Sequence, residues 1–359
     1  MKEAPVNYYT GRLGGLSMYL VTGGAGFFGE TLVLRLLVSG QPVTCFDLNR
    51  PHFDHPNLRI VQGDIRDKEA VKAALEGIDI VHHNVAQVPV AKDAKLFWSV
   101  NRDGLEILLN ECLNSKVRRV VYTSSSAVFG VPSTNPVTSN TVPCPREEYG
   151  KAKLAGENVC LDYSERGLSC SIVRPRTILG KGRLGIFQIL FEWIYQGLNV
   201  PVLNKGDNIY QFVHAEDLAT ACILAGESPI TGIFNIGTDR FSSMRDALEN
   251  LILHAGTGSK VKSVPAKLAE IGMNITSMLG FSPLGAYHSL MYGKSMYFDP
   301  EEAKLSLGFQ PTYSNDEMFV STYDWYCANR DDIISGRLQG SKHQSALKQK
   351  ILSVVPYLI

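Results

Sequence analysis

A glycine-rich run near the start of the chain is the feature that most constrains the fold. Gly23, Gly26 and Gly29 follow a short apolar segment, Met18 to Thr22, and open a leucine-rich segment, Glu30 to Ser39. Between a strand and a helix, the first glycine of such a run permits a tight turn, the second lets the backbone approach a pyrophosphate, and the third lets helix and sheet pack closely. The helix N-terminus offers N–H donors to the anion. The run predicts a dinucleotide-binding turn, and a plain glycine turn is the alternative.

Short apolar runs alternate with helix-like segments beyond these glycines. We predict strands at Pro42 to Asp47, Ile78 to His82 and Arg119 to Ser124. Each run is nearly continuous in apolar residues, which is typical of parallel strands that helices cover on both faces. The sequence therefore predicts an α/β fold with a Rossmann-type, doubly wound parallel sheet.

The alternation changes after about Gly180. We predict helices at Ile186 to Gln196 and Pro265 to Leu279, and strands at Gln211 to Val213 and Ile233 to Ile236. Because the strand–helix–strand order resumes at Gln211, we expect the chain to return to the first sheet and to leave a smaller, discontinuous C-terminal lobe. The predicted parts are an N-terminal extension (1–17), a dinucleotide-binding domain (18–180 and 210–238), a substrate lobe (181–209 and 239–330) and an amphipathic tail (331–359).

Composition narrows the class of protein. Thirty-five basic residues balance thirty-five acidic ones, and 45% of the residues are hydrophobic, which excludes a mainly disordered chain and a strong electrostatic footprint for nucleic acid. The seven cysteines are scattered without metal-type pairs, so we expect no metal site and a reducing compartment. Met1 to Ser17 lacks the apolar core of a signal peptide, and no run resembles a membrane span of ~20 apolar residues. We therefore expect a cytoplasmic protein.

An acidic residue favours NAD over NADP as the dinucleotide. Asp47 ends the second predicted strand, 18 residues after Gly29, near the ~20-residue spacing at which a carboxylate reaches the ribose hydroxyls. A carboxylate there also repels the 2′-phosphate of NADP. Arg50 is only three residues further on and carries the opposite charge, so the preference for NAD needs a test. Asp64 and Ile65 follow the next strand-like run, where a side chain could meet the adenine edge. An ordinary strand-end turn is the alternative for this pair.

A tyrosine and a lysine form the candidate catalytic pair. Tyr149 and Lys153 lie in a predicted helix, Arg146 to Glu165, and are one turn apart on the same face. Free tyrosine titrates near pH ~10, and a neighbouring ammonium together with a nicotinamide cation lowers that pKa. The pair predicts a phenol that transfers a proton, and an exposed Tyr and Lys on a helix surface are the alternative. Ser125, in the hydroxyl cluster that ends the strand at Ser124, suits a reacting alcohol or carbonyl, or merely caps the following turn.

Taken together, these residues resemble the extended short-chain dehydrogenase/reductase superfamily, particularly its NAD-dependent epimerase/dehydratase and 3β-hydroxysteroid dehydrogenase branches. The resemblance covers roughly Met18 to Asn329. Besides the glycine run, Asp47, Gly63-Asp64, Ser125 and the Tyr149–Lys153 pair, it rests on Arg174-Pro175, Phe212-Val213-His214 with Asp217, Phe234-Asn235-Ile236-Gly237, and Leu307-Gly308 with Pro311.

The resemblance implies roles for individual residues. Tyr149 would be the acid/base, Lys153 would lower its pKa and bind the nicotinamide ribose, and Ser125 would hydrogen-bond the reacting oxygen. The candidate cofactor contacts are Gly23, Gly26, Phe27, Phe28, Gly29, Asp47, Asp64, Ile65, Val85, Ala86, Tyr149, Lys153 and Pro175. Members of the superfamily often form homodimers through a four-helix bundle, and here we expect Leu105, Leu108, Leu109, Leu154 and Val159 on the outer faces of the two helices concerned.

The resemblance leaves the reaction open. Sugar dehydratases of the family carry Thr, Asp and Glu where this chain has Ser125, Ser126 and Ala127, so the acid pair that drives water loss is missing. We expect a nucleotide-sugar 4-epimerase that retains NAD, and the alternative is a 3β-hydroxysteroid-type dehydrogenase or reductase of a hydrophobic or lipid-linked alcohol. A third class, a non-catalytic NAD sensor, would not need Ser125, Tyr149 and Lys153 together.

Three further segments bear on the substrate. Tyr210-Gln211 stands where nucleotide-sugar enzymes usually present a diphosphate-binding arginine, although Arg176, Lys181, Arg183 and Lys205 could substitute or be solvated surface charges. An apolar stripe at helical spacing either lines a substrate pocket or packs the small lobe onto the sheet. It consists of Leu268, Ile271, Ile275, Met278 and Leu279. The tail from Ser341 to Ile359 could rest weakly on an anionic membrane surface, or dock on its own domain or a partner subunit.

Overall fold

The fold is described from a computed structural model, in which residues 16–87, 94–265 and 293–338 are described. The strands are β1 Tyr19–Thr22, β2 Val43–Asp47, β3 Leu58–Gln62, β4 Ile80–His83, β5 Arg119–Thr123, β6 Cys170–Pro175, β7 Thr177–Leu179, β8 Val200–Leu203, β9 Phe212–His214, β10 Ile233–Ile236 and β11 Val261–Val264. The helices are α1 Phe27–Val38, α2 Lys68–Ala74, α3 Ala94–Trp98, α4 Gly104–Asn114, α5 Glu148–Glu165, α6 Ile186–Tyr195, α7 Ala215–Glu227, α8 Met244–Ala255, α9 Glu301–Leu307 and α10 Asn315–Ile334.

A parallel sheet forms the centre of the described fold. Its order is β3-β2-β1-β4-β5-β6-β10, and every neighbouring pair is parallel. The chain winds outward from β1 in both directions, so the turns after β1 and β4 meet at the point where the strand order reverses, which is where ligands bind in such sheets. The predicted Rossmann-type fold is confirmed.

Helices cover both faces of this sheet because its inner strands are apolar on both sides. Side chains of α1 and α7 pack against one face, and those of α2, α4 and α5 pack against the other. The strands β1, β4, β5 and β6 are buried along their whole length, as expected for parallel strands between two helical layers. This rigid frame fixes the carboxyl ends of the strands, from which the candidate site residues project.

A separate apolar cluster joins the helices of the C-terminal half. Side chains of α6, α8 and α10 pack together around Phe187, Phe191 and Phe319. The strands β8 and β11 form a small parallel sheet of their own. The ends of β7 and β9 also contribute Leu179 and Phe212 to this cluster, so it begins where the chain leaves the central sheet.

The expected return of Gln211 to Val213 to the first sheet is wrong, whereas β10 does return. The strand β9 pairs with β7 in a two-stranded sheet, and β10 joins the central sheet beside β6. The reason is that β7 begins at Thr177, directly after β6 ends at Pro175, and offers a free edge beyond the end of the main sheet. The strand–helix–strand pattern predicts these elements, but it does not specify the partner of a three-residue strand.

The leucines predicted to face outward at a dimer interface are buried inside the domain. Leu105, Leu108 and Leu109 are 0% exposed and Val159 is 8% exposed, because all four pack into the core beneath the sheet. Leu154 is partly buried against the cluster that contains Phe129 and Phe298. The homodimer stays a prediction, and an interface on α5 would have to use outward residues such as Leu161, which is 45% exposed.

Some expectations concern residues outside the described ranges. The predicted helix Pro265 to Leu279 falls there apart from Pro265, and so do its apolar stripe, most of the extension 1–17 and the tail from Ser341. Within the described ranges, no helix combines the length and the apolar character needed to cross a membrane.

Candidate active site

The glycine turn has the geometry that a pyrophosphate site requires. Gly23 has a φ of +68°, and a Cβ there would lie 3.0 Å from the main chain of Asn84 and Val85. A Cβ on Gly29 would overlap the carbonyl oxygen of Gly23, so the start of α1 can pack this closely on the turn only without a side chain. Gly26 caps α1 without a side-chain acceptor, which leaves the N-terminus of the helix open to an anion. These residues fit a bound dinucleotide.

Asp47 lies beside this turn at the carboxyl end of β2. Its Oδ2 accepts from the Ala25 N–H at 3.2 Å and its Oδ1 accepts from the Asn49 N–H at 3.0 Å. The carboxylate is therefore oriented at the edge of the turn, where the ribose of a bound dinucleotide would lie. The guanidinium of Arg50 lies 3.7 Å from the Asp54 carboxylate, and both side chains are exposed.

Asp64 and Ile65 differ in what they can offer a cofactor. Arg66 holds the Asp64 carboxylate through Nε at 2.9 Å and Nη2 at 2.5 Å, and this hydrogen bonding lowers the pKa of Asp64. The Ile65 side chain is 4% exposed and packs in the core against Gly104. Only the main chain of Ile65 is free to face a ligand, whereas Asp64 keeps a partly exposed carboxylate.

The segment after β4 is held by polar contacts that sequence reasoning missed. Asn84 Oδ1 accepts from the Thr123 hydroxyl at 2.6 Å. Asn101 accepts from the Gln87 N–H at 2.7 Å and donates to the Gln87 carbonyl at 3.1 Å. Asn101 lies in a π-helical turn, Ser99–Asp103, that joins α3 to α4. These contacts hold the segment in which the main chain of Val85 lies against the glycine turn, and Ala86 follows it in the chain.

Lys153 is buried behind the site. The side chain is 2% exposed, and its ammonium donates to the Thr123 carbonyl at 2.8 Å. It also lies 4.8 Å from the centre of the Tyr122 ring. Burial lowers the pKa of Lys153 to about 8, because the charged form loses its hydration. The charge of this group is therefore close to its titration point at neutral pH.

Tyr149 lies one turn before Lys153, in the first turn of α5. The Glu147 carboxylate caps this helix by accepting from the Tyr149 N–H at 2.8 Å and the Gly150 N–H at 2.7 Å. The tyrosine ring is half-buried, and Phe97 packs edge-on against it with 6.5 Å between ring centres. The cap and this ring contact fix the direction in which the phenol projects.

The three serines after β5 have different partners. Ser125 is half-buried and its Oγ accepts from the Ala127 N–H at 3.1 Å, so it caps a short 3₁₀ turn, Ser126–Phe129. Ser124 donates to Glu157 at 2.5 Å, and Ser126 accepts from Arg176 at 2.9 Å.

The 3₁₀ turn lies against the start of α5. A Cβ on Gly150 would approach the Ala127 carbonyl to 2.5 Å. The structure therefore brings the strand end that carries Ser125 next to the helix that carries Tyr149 and Lys153.

A buried ion pair joins α5, the helix that carries Tyr149 and Lys153, to β6. Arg174 donates to Glu157 through Nε at 2.8 Å and Nη2 at 2.6 Å, and both side chains are at most 5% exposed. Glu157 follows Lys153 by one helical turn, and Arg174 precedes Pro175, which ends β6 and is buried. In the sequence, the spacing of Glu157 from Lys153 is a signal for Glu157. Its pairing with Arg174 on β6 has no such signal.

The four cations proposed as substitutes for a phosphate clamp differ in exposure. Arg176 is 1% exposed, donates to Ser126 and to the Met296 sulfur, and lies 4.6 Å from the Tyr210 ring centre. Lys181 and Lys205 are exposed, whereas Arg183 is half-buried. Of these, only Arg183 combines partial burial with a place beside the glycine turn.

Sequence comparison identifies the family. The model of the NAD dependent epimerase/dehydratase family matches residues 19–237, which span the central sheet. The chain belongs to this family. The resemblance predicted from the motifs is thereby confirmed, together with an NAD-type cofactor and an oxidoreductase or epimerase class of enzyme.

Individual members of the family and solved structures show different degrees of similarity. The uncharacterized protein y4nG of Sinorhizobium fredii is 52% identical over 341 residues, 95% of this chain and 86% of that protein. The human sterol-4-alpha-carboxylate 3-dehydrogenase, decarboxylating, is 26% identical over 84% of this chain and 86% of its own length. The structure of the UDP-glucose 4-epimerase of Thermotoga maritima with UDP-glucose has a TM-score of 0.73 at 22% identity, covering 87% of this chain and 99% of that one.

Proposed function

We propose that this family member transfers a hydride between NAD and the secondary alcohol carbon of a hydrophobic substrate, such as a sterol or another lipid alcohol. The observation that carries this proposal is the apolar packing beside Tyr149. The tyrosine packs on a cluster that contains Phe129, Met296 and Phe298, and the partly buried Val131 packs on the same cluster. The three named members of the cluster are at most 1% exposed, so the groups left to meet a ligand are its partly buried neighbours such as Val131. Apolar groups at this place favour an apolar substrate next to the candidate acid/base.

The place expected for a diphosphate clamp supports the same choice. Gln211 is fully buried, and its amide nitrogen donates to the Thr238 carbonyl at 2.6 Å while its oxygen accepts from the Phe298 N–H at 2.9 Å. Its side chain therefore ties main-chain segments together. The preceding Tyr210 packs against the apolar cluster.

The comparisons bear on this choice in different ways. The relative named as a sterol-4-alpha-carboxylate 3-dehydrogenase is similar over most of both chains and supports a sterol-like or otherwise hydrophobic alcohol. The likeness to UDP-glucose 4-epimerase concerns the fold. A nucleotide-sugar 4-epimerase, the first expectation from the sequence, is therefore the competing reaction.

The candidate residues divide the proton chemistry between them. Bound NAD would supply the hydride acceptor or donor. Tyr149 takes the proton of the substrate hydroxyl during oxidation and returns it during reduction. The ammonium of Lys153, one turn away, stabilises the phenolate form. Ser125 accepts from Ala127, which leaves its hydroxyl hydrogen to bond the reacting oxygen.

A substrate panel tests the proposal. We would incubate the protein with NAD and, in separate reactions, 3β-hydroxysterols, long-chain secondary alcohols, and UDP-, dTDP-, GDP- and CDP-sugars, following NADH absorbance and sugar chromatography. We expect NADH with a hydrophobic alcohol. Epimerised sugar without net NADH would overturn the proposal in favour of the epimerase, and NAD binding without turnover of any substrate would favour the sensor.

A further inference from the structure

Arg183 occupies an unusual position between the two halves of the cofactor site. It lies in the connection between β7 and α6, and its guanidinium lies 5.5 Å from the centre of the Phe27 ring. Phe27 is the first residue of α1, the helix that the glycine turn opens. A cation–π contact therefore holds the guanidinium beside the first residue of this helix.

This guanidinium has no acidic partner within the described ranges. Its Nε is buried without a hydrogen bond, and no carboxylate of those ranges lies within ion-pair distance. By contrast, Arg174 and Arg330 each bind a buried glutamate. Leaving a partly buried cation unpaired costs free energy, so the position suits an anion that arrives as a ligand.

The charge of Arg183 also reaches the catalytic end of the crevice. Burial lowers the pKa of Arg183 to about 10, and the ionised phenol of Tyr149 acts in the opposite direction. Arg183 therefore stays charged at neutral pH and lies within electrostatic range of Tyr149. A group between the glycine turn and this tyrosine lies along the path from the pyrophosphate to the nicotinamide of a bound dinucleotide.

We propose that Arg183 binds the diphosphate of NAD from the side opposite the glycine turn. The planar guanidinium presents paired N–H donors that match phosphate oxygens, while the N-terminus of α1 donates from the other side. The contact with Phe27 places Arg183 at the helix that the glycine turn opens, and not at the apolar cluster on which Val131 and Tyr210 pack, which argues for the cofactor over an acidic substrate. This inference rests on the cofactor site of the proposed function, but not on the identity of the alcohol.

Direct binding measurements test this role without turnover. We would titrate NAD, ADP-ribose, AMP and adenosine into the wild type, Arg183→Gln and Arg183→Lys by calorimetry, with Lys181→Gln as the control because Lys181 is an exposed cation of the same connection. We expect Arg183→Gln to weaken NAD and ADP-ribose by about 10- to 100-fold, as for the loss of charge-assisted hydrogen bonds, and to leave adenosine unchanged. Arg183→Lys should lie between the wild type and Arg183→Gln, since it keeps the charge and loses the paired donors.

Each result has a defined meaning. Equal NAD affinity in the wild type and in a folded Arg183→Gln would overturn this inference while leaving the proposed function intact. Failure of the wild type itself to bind NAD or ADP-ribose would overturn both. A similar loss of affinity for adenosine would show a general disturbance of the crevice and would also count against a diphosphate contact. Arg183→Lys supplies the comparison if Arg183→Gln does not fold.

Discussion

Tyr149 can act as an acid/base only if its phenol reaches the substrate while Lys153 stays behind it. The structure places the ammonium 2.8 Å from the Thr123 carbonyl and the tyrosine ring beside Phe97, at the edge of the crevice. We expect Tyr149→Phe to lower kcat/KM by about 10²- to 10⁴-fold, because it removes the transferring proton but keeps the ring contacts. Steady-state NADH formation measures this change.

Tyr163 provides the matched control for that substitution. It lies on the same helix and is 5% exposed, and its ring packs under the Arg166 guanidinium at 4.0 Å. Tyr163→Phe should leave turnover nearly unchanged. NAD affinity should be similar in both variants, and full activity of Tyr149→Phe would make the catalytic assignment wrong.

The predicted preference for NAD over NADP depends on Asp47. Its carboxylate is oriented by the Ala25 and Asn49 N–H groups at the edge of the glycine turn. Asp47→Asn removes the negative charge that repels a 2′-phosphate and weakens the acceptor for the ribose hydroxyls. We expect the ratio of kcat/KM for NADP to that for NAD to rise by at least ~10-fold, and an unchanged ratio would assign the preference to other residues.

At the scale of elements, the orientation of α5 depends on the ion pair between Glu157 and Arg174. Both side chains are buried, so removing one charge leaves the other without compensation. We expect Glu157→Gln to lower the free energy of unfolding by about 3 kcal/mol in urea denaturation. The same variant should also shift the pH profile of kcat, because the helix carries Tyr149 and Lys153.

Glu148 on the same helix supplies the comparison. Its carboxylate lies 2.8 Å from the Lys151 ammonium, but both side chains are roughly half exposed. Glu148→Gln should change the stability by less than ~1 kcal/mol, as is usual for exposed pairs. If both variants lost the same free energy of unfolding, burial would not make the Glu157–Arg174 pair more important for stability than an exposed pair.

Local patterns predicted the elements better than they predicted the contacts between elements. The glycine turn, Asp47 and the Tyr149–Lys153 pair depend on spacing within one turn or one strand–helix unit, so the sequence is sufficient to predict their positions. Their roles stay predictions. The partner of β9, the inward direction of Leu105 and the pairing of Glu157 with Arg174 depend on packing between distant segments. A three-residue strand can pair with more than one edge, and a leucine on a helix can face more than one neighbour. The sequence alone therefore does not decide these contacts.

At the scale of the whole molecule, two buried histidines make stability depend on pH. His82 and His83 are neighbours on β4 and face opposite sides of the sheet, against Tyr19 and Tyr122 respectively. Burial lowers the pKa of each to about 3, and for His83 the Lys153 charge acts in the same direction. The unfolded chain binds these protons near pH ~6.5, so the free energy of unfolding should fall by about 1.4 kcal/mol per pH unit for each histidine below that value.

A substitution separates this effect from the carboxylates. Both ring nitrogens of His82 are buried without hydrogen-bond partners in the described structure, so His82→Leu removes the titration with little change in volume. Between pH 7 and pH 5, His82→Leu should lose about 2 kcal/mol less stability than the wild type in urea denaturation. His254→Gln, at an exposed position paired with Asp324, should follow the wild type. Parallel curves for His82→Leu and the wild type would exclude this origin.

The close packing of α1 on the glycine turn also determines which mutations the chain can tolerate. A methyl group on Gly29 would overlap the Gly23 carbonyl oxygen, whereas one on Gly26 would meet that oxygen at 3.3 Å. In a saturation library, alanine at position 29 should be lost already in a screen for folded protein. Alanine at position 26 should pass that screen and be lost only when cofactor binding is selected, because the backbone there must approach the pyrophosphate. Two glycines of one motif would then be retained for separable reasons, Gly29 for folding and Gly26 for cofactor recognition.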